Sequence, residues 1–96
     1  MTHTLPSGSF ISINIDEDFN EFIIENIKSM VKGDGSILAQ WAIALWNAEY
    51  SNMDCTLYAY PQDATIDQEG LVAFWTKQGF EIDHENNAGD GTAMKY

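Results

Sequence analysis

"SFISINIDEDFNEFIIENIKSM", residues 9–30, opens with isoleucine at every second position: Ile11, Ile13 and Ile15 alternate with Ser12 and Asn14. That is the period of a half-buried strand, because successive strand side chains point to opposite faces. "DED" (residues 16–18) follows as a polar turn, and what comes after it decides the fold. As a helix, the next residues put Phe19, Phe22, Ile23, Ile27 and Met30 on one face. As a returning strand, they are rich in β-branched side chains, with Phe22 and Ile24 on one side. Periodicity alone leaves the two readings close. The hairpin is preferred, since a lone strand at residues 10–15 would need a neighbour.

Downstream the pattern is plainer. In "MVKGDGSILAQWAIALW" (residues 30–46), Ser36 is placed to cap a helix, and Leu38, Trp41, Ala42, Leu45 and Trp46 recur at helical spacing. This helix is expected to fade around residues 50–52. "DCTLYAY" (residues 54–60) reads as a short buried strand stopped by Pro61. "PQDATID" is a loop, with Asp67 as a cap for a second helix over residues 68–78, whose apolar residues are Leu71, Phe74 and Trp75 and which ends at Gly79. "FEIDHE" and "TAMKY" are strands around the turn "NNAGDG". The predicted order is ββαβαββ, an α/β fold with a mixed sheet and two helices. Its central strand–helix–strand–helix–strand run implies right-handed crossovers and some parallel pairing. Residues 1–8 precede the pattern and are expected to be flexible.

Ninety-six residues, 45% of them apolar, suit one compact domain and argue against disorder. Charge is the unusual quantity: fifteen acids face Lys28, Lys32, Lys77 and Lys95, no arginine is present, and the net charge is −11. Such a surface repels nucleic acid and acidic membranes and attracts basic partners. Its plain meaning is solubility, and its sharper one is a basic, nucleic-acid-binding protein as partner. No segment has the unbroken apolar length of a membrane span, and the first residues lack a signal pattern, so a cytoplasmic location is expected. Cys55 stands alone, which excludes an internal disulfide and a multi-cysteine zinc site, and it reads as a buried thiol. His3 and His84 lie far apart and suggest no metal site.

The loop "KGDGS" (residues 32–36) directly precedes the first helix. A glycine-flanked turn there presents unpaired N–H groups and the positive end of the helix dipole, so Lys32, Gly33, Asp34, Gly35 and Ser36 could wrap a pyrophosphate. Taken alone, a Gly-x-Gly before a helix is more often a tight turn. The other segments add weight. "GDGSILAQWAIALW", "CTLYAYPQ", "GLVAFWTKQGFEI" and "GTAMKY" resemble, in order and spacing, the GNAT acetyltransferases. In that superfamily a Gly-x-Gly acetyl-CoA loop opens a helix, and a strand, a helix ending in aromatic-x-x-x-Gly-Phe and a final hairpin follow. "LYAYPQD" (residues 57–63) with Gly79 and Phe80 resembles most specifically a very small phage type that acts against a type V CRISPR nuclease. The likeness runs from Phe10 to Tyr96.

The resemblance implies that residues 20–30 form a strand and that amides of Lys32, Gly33, Asp34, Gly35 and Ser36 meet the pyrophosphate of acetyl-CoA. It implies that the strand Glu25–Met30, with Ile27 in it, pairs with the pantetheine arm, where it splays from residues 54–60. Glu21 or Glu25 would then be the base that takes a proton from the incoming lysine, which is protonated at neutral pH and must lose a proton before attack. Tyr60, or Tyr58, would return a proton to the departing thiolate. Three departures from the family pattern bear on this. Met30 stands where Arg or Gln is usual. Asp34 adds negative charge beside the phosphates, a repulsion of about 1–4 kcal/mol at a few ångströms. Trp75 stands where a tyrosine is common, and an indole N–H does not give up its proton. By the resemblance the chain is an acetyl-CoA-dependent N-acetyltransferase acting on a lysine of a basic protein, a CRISPR nuclease or another nucleic-acid-binding protein, as a phage counter-defence. The alternative is an acidic inhibitor that keeps the scaffold without the catalysis. The elements that hold substrate in a full-length GNAT domain are largely missing, so a partner protein or a second copy, as a homodimer, is expected to complete the site.

Overall fold

The computed structural model describes residues 1–60, 67–84 and 91–96. The expected turn at residues 86–91, except Gly91, and the expected loop at residues 61–67, except Asp67, lie outside them. The described residues form six strands and two helices in the order βββαβαββ, the expected α/β series with one strand added at the front. The chain divides into two compact units, Met1–Cys55 and Thr56–Tyr96.

In the first unit, β1 (Thr2–Thr4), β2 (Phe10–Asp16) and β3 (Glu21–Lys28) pair antiparallel, and α1 (Asp34–Glu49) packs on them. The segment after "DED" is therefore extended. The turn is made by the Asp16 carboxylate, whose Oδ1 accepts the amides of Asp18 and Phe19 at 3.1 and 3.2 Å, and by Asn20 in the left-handed region at φ 56°. Phe19, which the helical reading put on the apolar face, is left 73% exposed. Ile11, Ile13, Phe22 and Ile24 are buried, and Ile11 pairs with Ile27, Ile13 with Ile24 and Ile15 with Phe22. Opposed residues share a face, so the even residues 22 and 24 and the odd residue 27 lie on one side. A bulge between them resolves the parity: Ser12 faces Asn26, Ile13 faces Ile24, and Glu25 has no partner across the ladder.

β1 is an element the sequence does not announce. Residues 1–8 were expected to be flexible, yet Thr2, His3 and Thr4 lie against Ser12, Ile11 and Phe10. His3 also stacks on Trp41 of α1, with ring centroids 4.2 Å apart. α1 buries Leu38, Ala39, Ala42 and Ile43, while Trp41, Leu45 and Trp46 are half-buried. The expected start at Ser36 is corrected. The helix begins at Asp34 with Gly33 in the cap position at φ 95°, a conformation that favours glycine, and Ser36 lies inside the first turn.

In the second unit, β6 (Thr92–Lys95) pairs antiparallel with residues 56–59 of β4 (Asp54–Ala59) and with β5 (Glu81–Ile82). α2 (Gln68–Lys77) starts on Asp67, whose carboxylate accepts the Gly70 amide at 2.7 Å, the expected cap. Gln68 Nε2 donates to Ala59 O and to Thr92 Oγ1, tying the start of α2 to β4 and β6. Trp75, Phe80 and Met94 are buried, and the Trp75 and Phe80 rings meet edge to face at 5.3 Å. Gly79 closes α2 at φ 110°, where a Cβ would come within 3.0 Å of the Tyr96 ring.

Candidate functional site

Five of the expected site residues, Lys32 to Ser36, form the crossing from β3 to α1. Val31, Lys32 and Gly33 are exposed, Asp34 and Gly35 half-buried, and Ser36 exposed. Helix geometry leaves the first-turn N–H groups without intrahelical acceptors. Here the cap position is Gly33, which makes no side-chain cap bond. One donor is consumed within the turn: the Asp34 amide donates to Val31 O at 3.1 Å. The ladder of α1 begins with Ile37 N–H on Gly33 O at 3.2 Å.

Asp34 does something the sequence does not reveal. Its Oδ2 accepts from the Ser9 hydroxyl at 2.6 Å and from the Ser7 hydroxyl at 2.5 Å. Ser9 is fully buried, and its Oγ also accepts the Met30 amide at 2.7 Å. Two serines from the β1–β2 turn thus occupy the carboxylate that stands beside the proposed phosphate position. They were missed because they sit 25 and 27 residues away, in a segment with no pattern of its own.

Those hydroxyl bonds, Ser7 first and Ser9 second, hold the Asp34 carboxyl below its usual value, against the opposing effect of partial burial. The unfolded chain has an aspartate near 3.9. With the folded value lower, the stability this group contributes is complete above that pH and is lost as pH falls through the folded value. The urea midpoint of the wild type is therefore expected to lose ground to that of Asp34→Asn between about pH 5 and pH 2. A gap that stays constant across that range would contradict the sign.

Charge in the first unit is polarised. Asn20 Nδ2 donates to Asn52 O at 2.9 Å, the Asp54 amide donates to Asn20 O at 3.0 Å, and Phe22 meets Tyr50 at 5.5 Å. These contacts bring the hairpin turn to the C-terminal end of α1, so Asp16, Glu17, Asp18, Glu21, Glu49 and Asp54 gather at one end. Lys28 and Lys32 are at the other, beside the N-terminus of α1. An anion is favoured at the loop end by both the lysines and the helix dipole.

The remaining expected residues are placed as follows. Ile27, half-buried, pairs with Ile11 on β3, near the loop. Glu25 is exposed at the bulge, and Glu21, half-buried, starts the strand opposite Asp16. Along an extended strand, Glu25 lies roughly 10 Å and Glu21 roughly 23 Å from Lys28. Tyr60 belongs to the second unit, just beyond β4, and is 46% exposed. Tyr58, two residues earlier, accepts the Gly91 amide on its hydroxyl at 2.8 Å. Trp75 is 3% exposed between Phe74 and Phe80, so it packs the core. Cys55 is buried, and burial pushes its thiol up to about 12, far from a reactive thiolate at neutral pH. Among the described residues no helix is long and apolar enough to cross a membrane.

No protein-family model matches the chain. No curated protein sequence matches it. Among solved structures, the crystal structure of the anti-CRISPR protein AcrVA5 is similar to it, with a TM-score of 0.81 at 32% identity over 100% of this chain and 96% of that one.

Proposed function

The chain belongs to the family of the anti-CRISPR protein AcrVA5, and from that premise we propose that it is a small phage counter-defence protein that acetylates a lysine of a basic target. The donor is acetyl-CoA, and a CRISPR nuclease in the host cytoplasm is the kind of target the relative's name suggests. The observation that carries the reading is the N-terminus of α1, where the cap position is Gly33 at φ 95° and the neighbouring carboxylate is bonded to two serines. The residues fit an anionic cofactor: backbone donors of the loop and Lys32 would hold the pyrophosphate, and Asp34 is engaged elsewhere.

Acetyl-CoA supplies an activated acyl group, and the chain's own groups handle the protons. Glu25 would take one proton from the lysine ammonium, leaving Nζ a lone pair for the transfer. With acetyl-CoA bound, the acyl group would pass from sulfur to Nζ, and the second proton the nitrogen sheds would replace the one the chain gives to the departing thiolate. Trp75 cannot give it, being buried and an indole. The phenol of Tyr60 is the donor in this scheme. The acidic pole of the first unit steers a basic target towards the protein, so association slows as salt is raised.

Calorimetric titration with acetyl-CoA, followed by peptide mass mapping of a type V CRISPR nuclease incubated with both, tests the proposal. Saturable binding and the mass of one added acetyl group on a lysine are expected. Binding without transfer would support the acidic-inhibitor alternative. Absence of binding at a large excess of cofactor would remove the enzyme reading.

A further inference from the structure

We infer that Ser7, Ser9 and Asp34 are a positioning latch that fixes the glycine loop with its crest turned outwards. This rests on the loop's role in the proposed function, and it says which residues outside the loop make that role available. The relay runs from the Met30 N–H to Ser9 Oγ at 2.7 Å, and from the Ser9 hydroxyl to Asp34 Oδ2 at 2.6 Å. The Ser7 hydroxyl donates to the same oxygen at 2.5 Å. Ser7 Oγ also lies 3.1 Å from Ser9 Oγ, but a hydroxyl carries one proton, and the shorter contact to the charged acceptor takes it. The residues joined are Met30, two before the loop, Asp34, the first of α1, and the turn between β1 and β2. That turn is itself closed by Leu5 N–H on Ser9 O at 2.7 Å and Gly8 N–H on Leu5 O at 2.9 Å.

The arrangement matters because of what Asp34 does not do. An acid at a helix start ordinarily finds its backbone partners locally, by capping or by an Asx-type turn. Here it reaches back to the serines, and the cap position is a glycine. The loop is held from both flanks, at Met30 and at Asp34, by a group whose hub Ser9 is sealed from solvent. Chains of hydrogen bonds of this kind strengthen one another away from water.

A latch predicts opposite signs for two exchanges of one residue, and a bare charge the same sign for both. In Asp34→Asn, the amide oxygen can still accept both hydroxyls, while the charge facing the cofactor is gone. In Asp34→Ala the charge and the acceptor both go. The latch requires acetyl-CoA to bind about fivefold tighter to Asp34→Asn and at least about tenfold weaker to Asp34→Ala, whose loop must be ordered on binding. A bare repulsive charge would make both variants bind tighter. The latch is also read without any cofactor, by amide hydrogen exchange of the full chain. Exchange at the bonded amides of Met30, Asp34 and Ile37 should rise at least about tenfold in Asp34→Ala and in Ser9→Ala, and stay near wild type in Asp34→Asn. Ser7→Ala, at an exposed position, gives an intermediate rise and serves if Ser9→Ala fails to fold. Unchanged exchange in Asp34→Ala, or equal exchange in Asp34→Ala and Asp34→Asn, overturns the latch. If the wild type binds no acetyl-CoA, the enzyme reading falls while the exchange result still decides this one.

Discussion

Replacing Gly35 with tryptophan is expected to lower acetyl-CoA affinity by about 10²–10⁴-fold while leaving the fold intact. The size follows from what the loop would contribute: a hydrogen bond from a backbone amide to a charged group is worth about 1.5–3 kcal/mol, and losing two of them is about 3–6 kcal/mol, or roughly two to four decades. An indole on the second residue of α1 would stand over the crest and keep the pyrophosphate from the amides. The fold should survive because the position is half-buried and helical, where tryptophan is intrinsically better tolerated than glycine. Calorimetry gives the affinity, and the thermal midpoint checks the fold. Wild-type affinity in a folded Gly35→Trp protein would place the cofactor away from this loop.

The parts of the fold that were legible are those whose signal is local. Isoleucine at every second position from 11 to 15 marks β2, and Asp67 before an apolar-periodic run marks α2 and its cap. The β2–β3 hairpin was less so, because residues 19–30 satisfy a helical period almost as well; the exposure of Phe19 and the burial of Phe22 and Ile24 decide it only once a partner strand is present. The bulge at Glu25 has no signature of its own, being an adjustment between two strands, and the three residues of β1 are too few for a period. The site divides in the same way. Glycines before a helix are readable, and so is Trp75 as core. That Asp34 is bonded to hydroxyls rather than directed at a phosphate is not readable, since its partners lie 25 and 27 residues away and meet it only through tertiary structure. A charge in a loop tells the residue type present; its partners tell what the charge does.

Exchange of Glu25 for glutamine is expected to lower the turnover number by about 10²–10⁴-fold, the usual range for loss of a general base, with little change in acetyl-CoA affinity. Glu21→Gln should stay within about threefold of wild type. The distinction is geometric. Glu25 sits at the bulge, roughly 10 Å along β3 from the loop end, where a cofactor anchored at residues 32–36 can present its acyl group; Glu21 is a further four residues away, in the acidic end of the unit. Bulges re-aim side chains and are over-represented beside active sites, which fits an unpaired Glu25. The diagnostic is pH. A substrate lysine titrates near 10.4, so raising the pH supplies the free amine without help from the protein, and the gap between wild type and Glu25→Gln should narrow steadily as that value is approached. A purely structural lesion would leave the gap constant. Should Glu21→Gln lose turnover instead, with the same recovery at high pH, the base is Glu21 and the acyl group must lie nearer the hairpin turn. Small losses in both would leave proton removal to solvent, and the loop and its latch would then be promoting transfer by positioning alone.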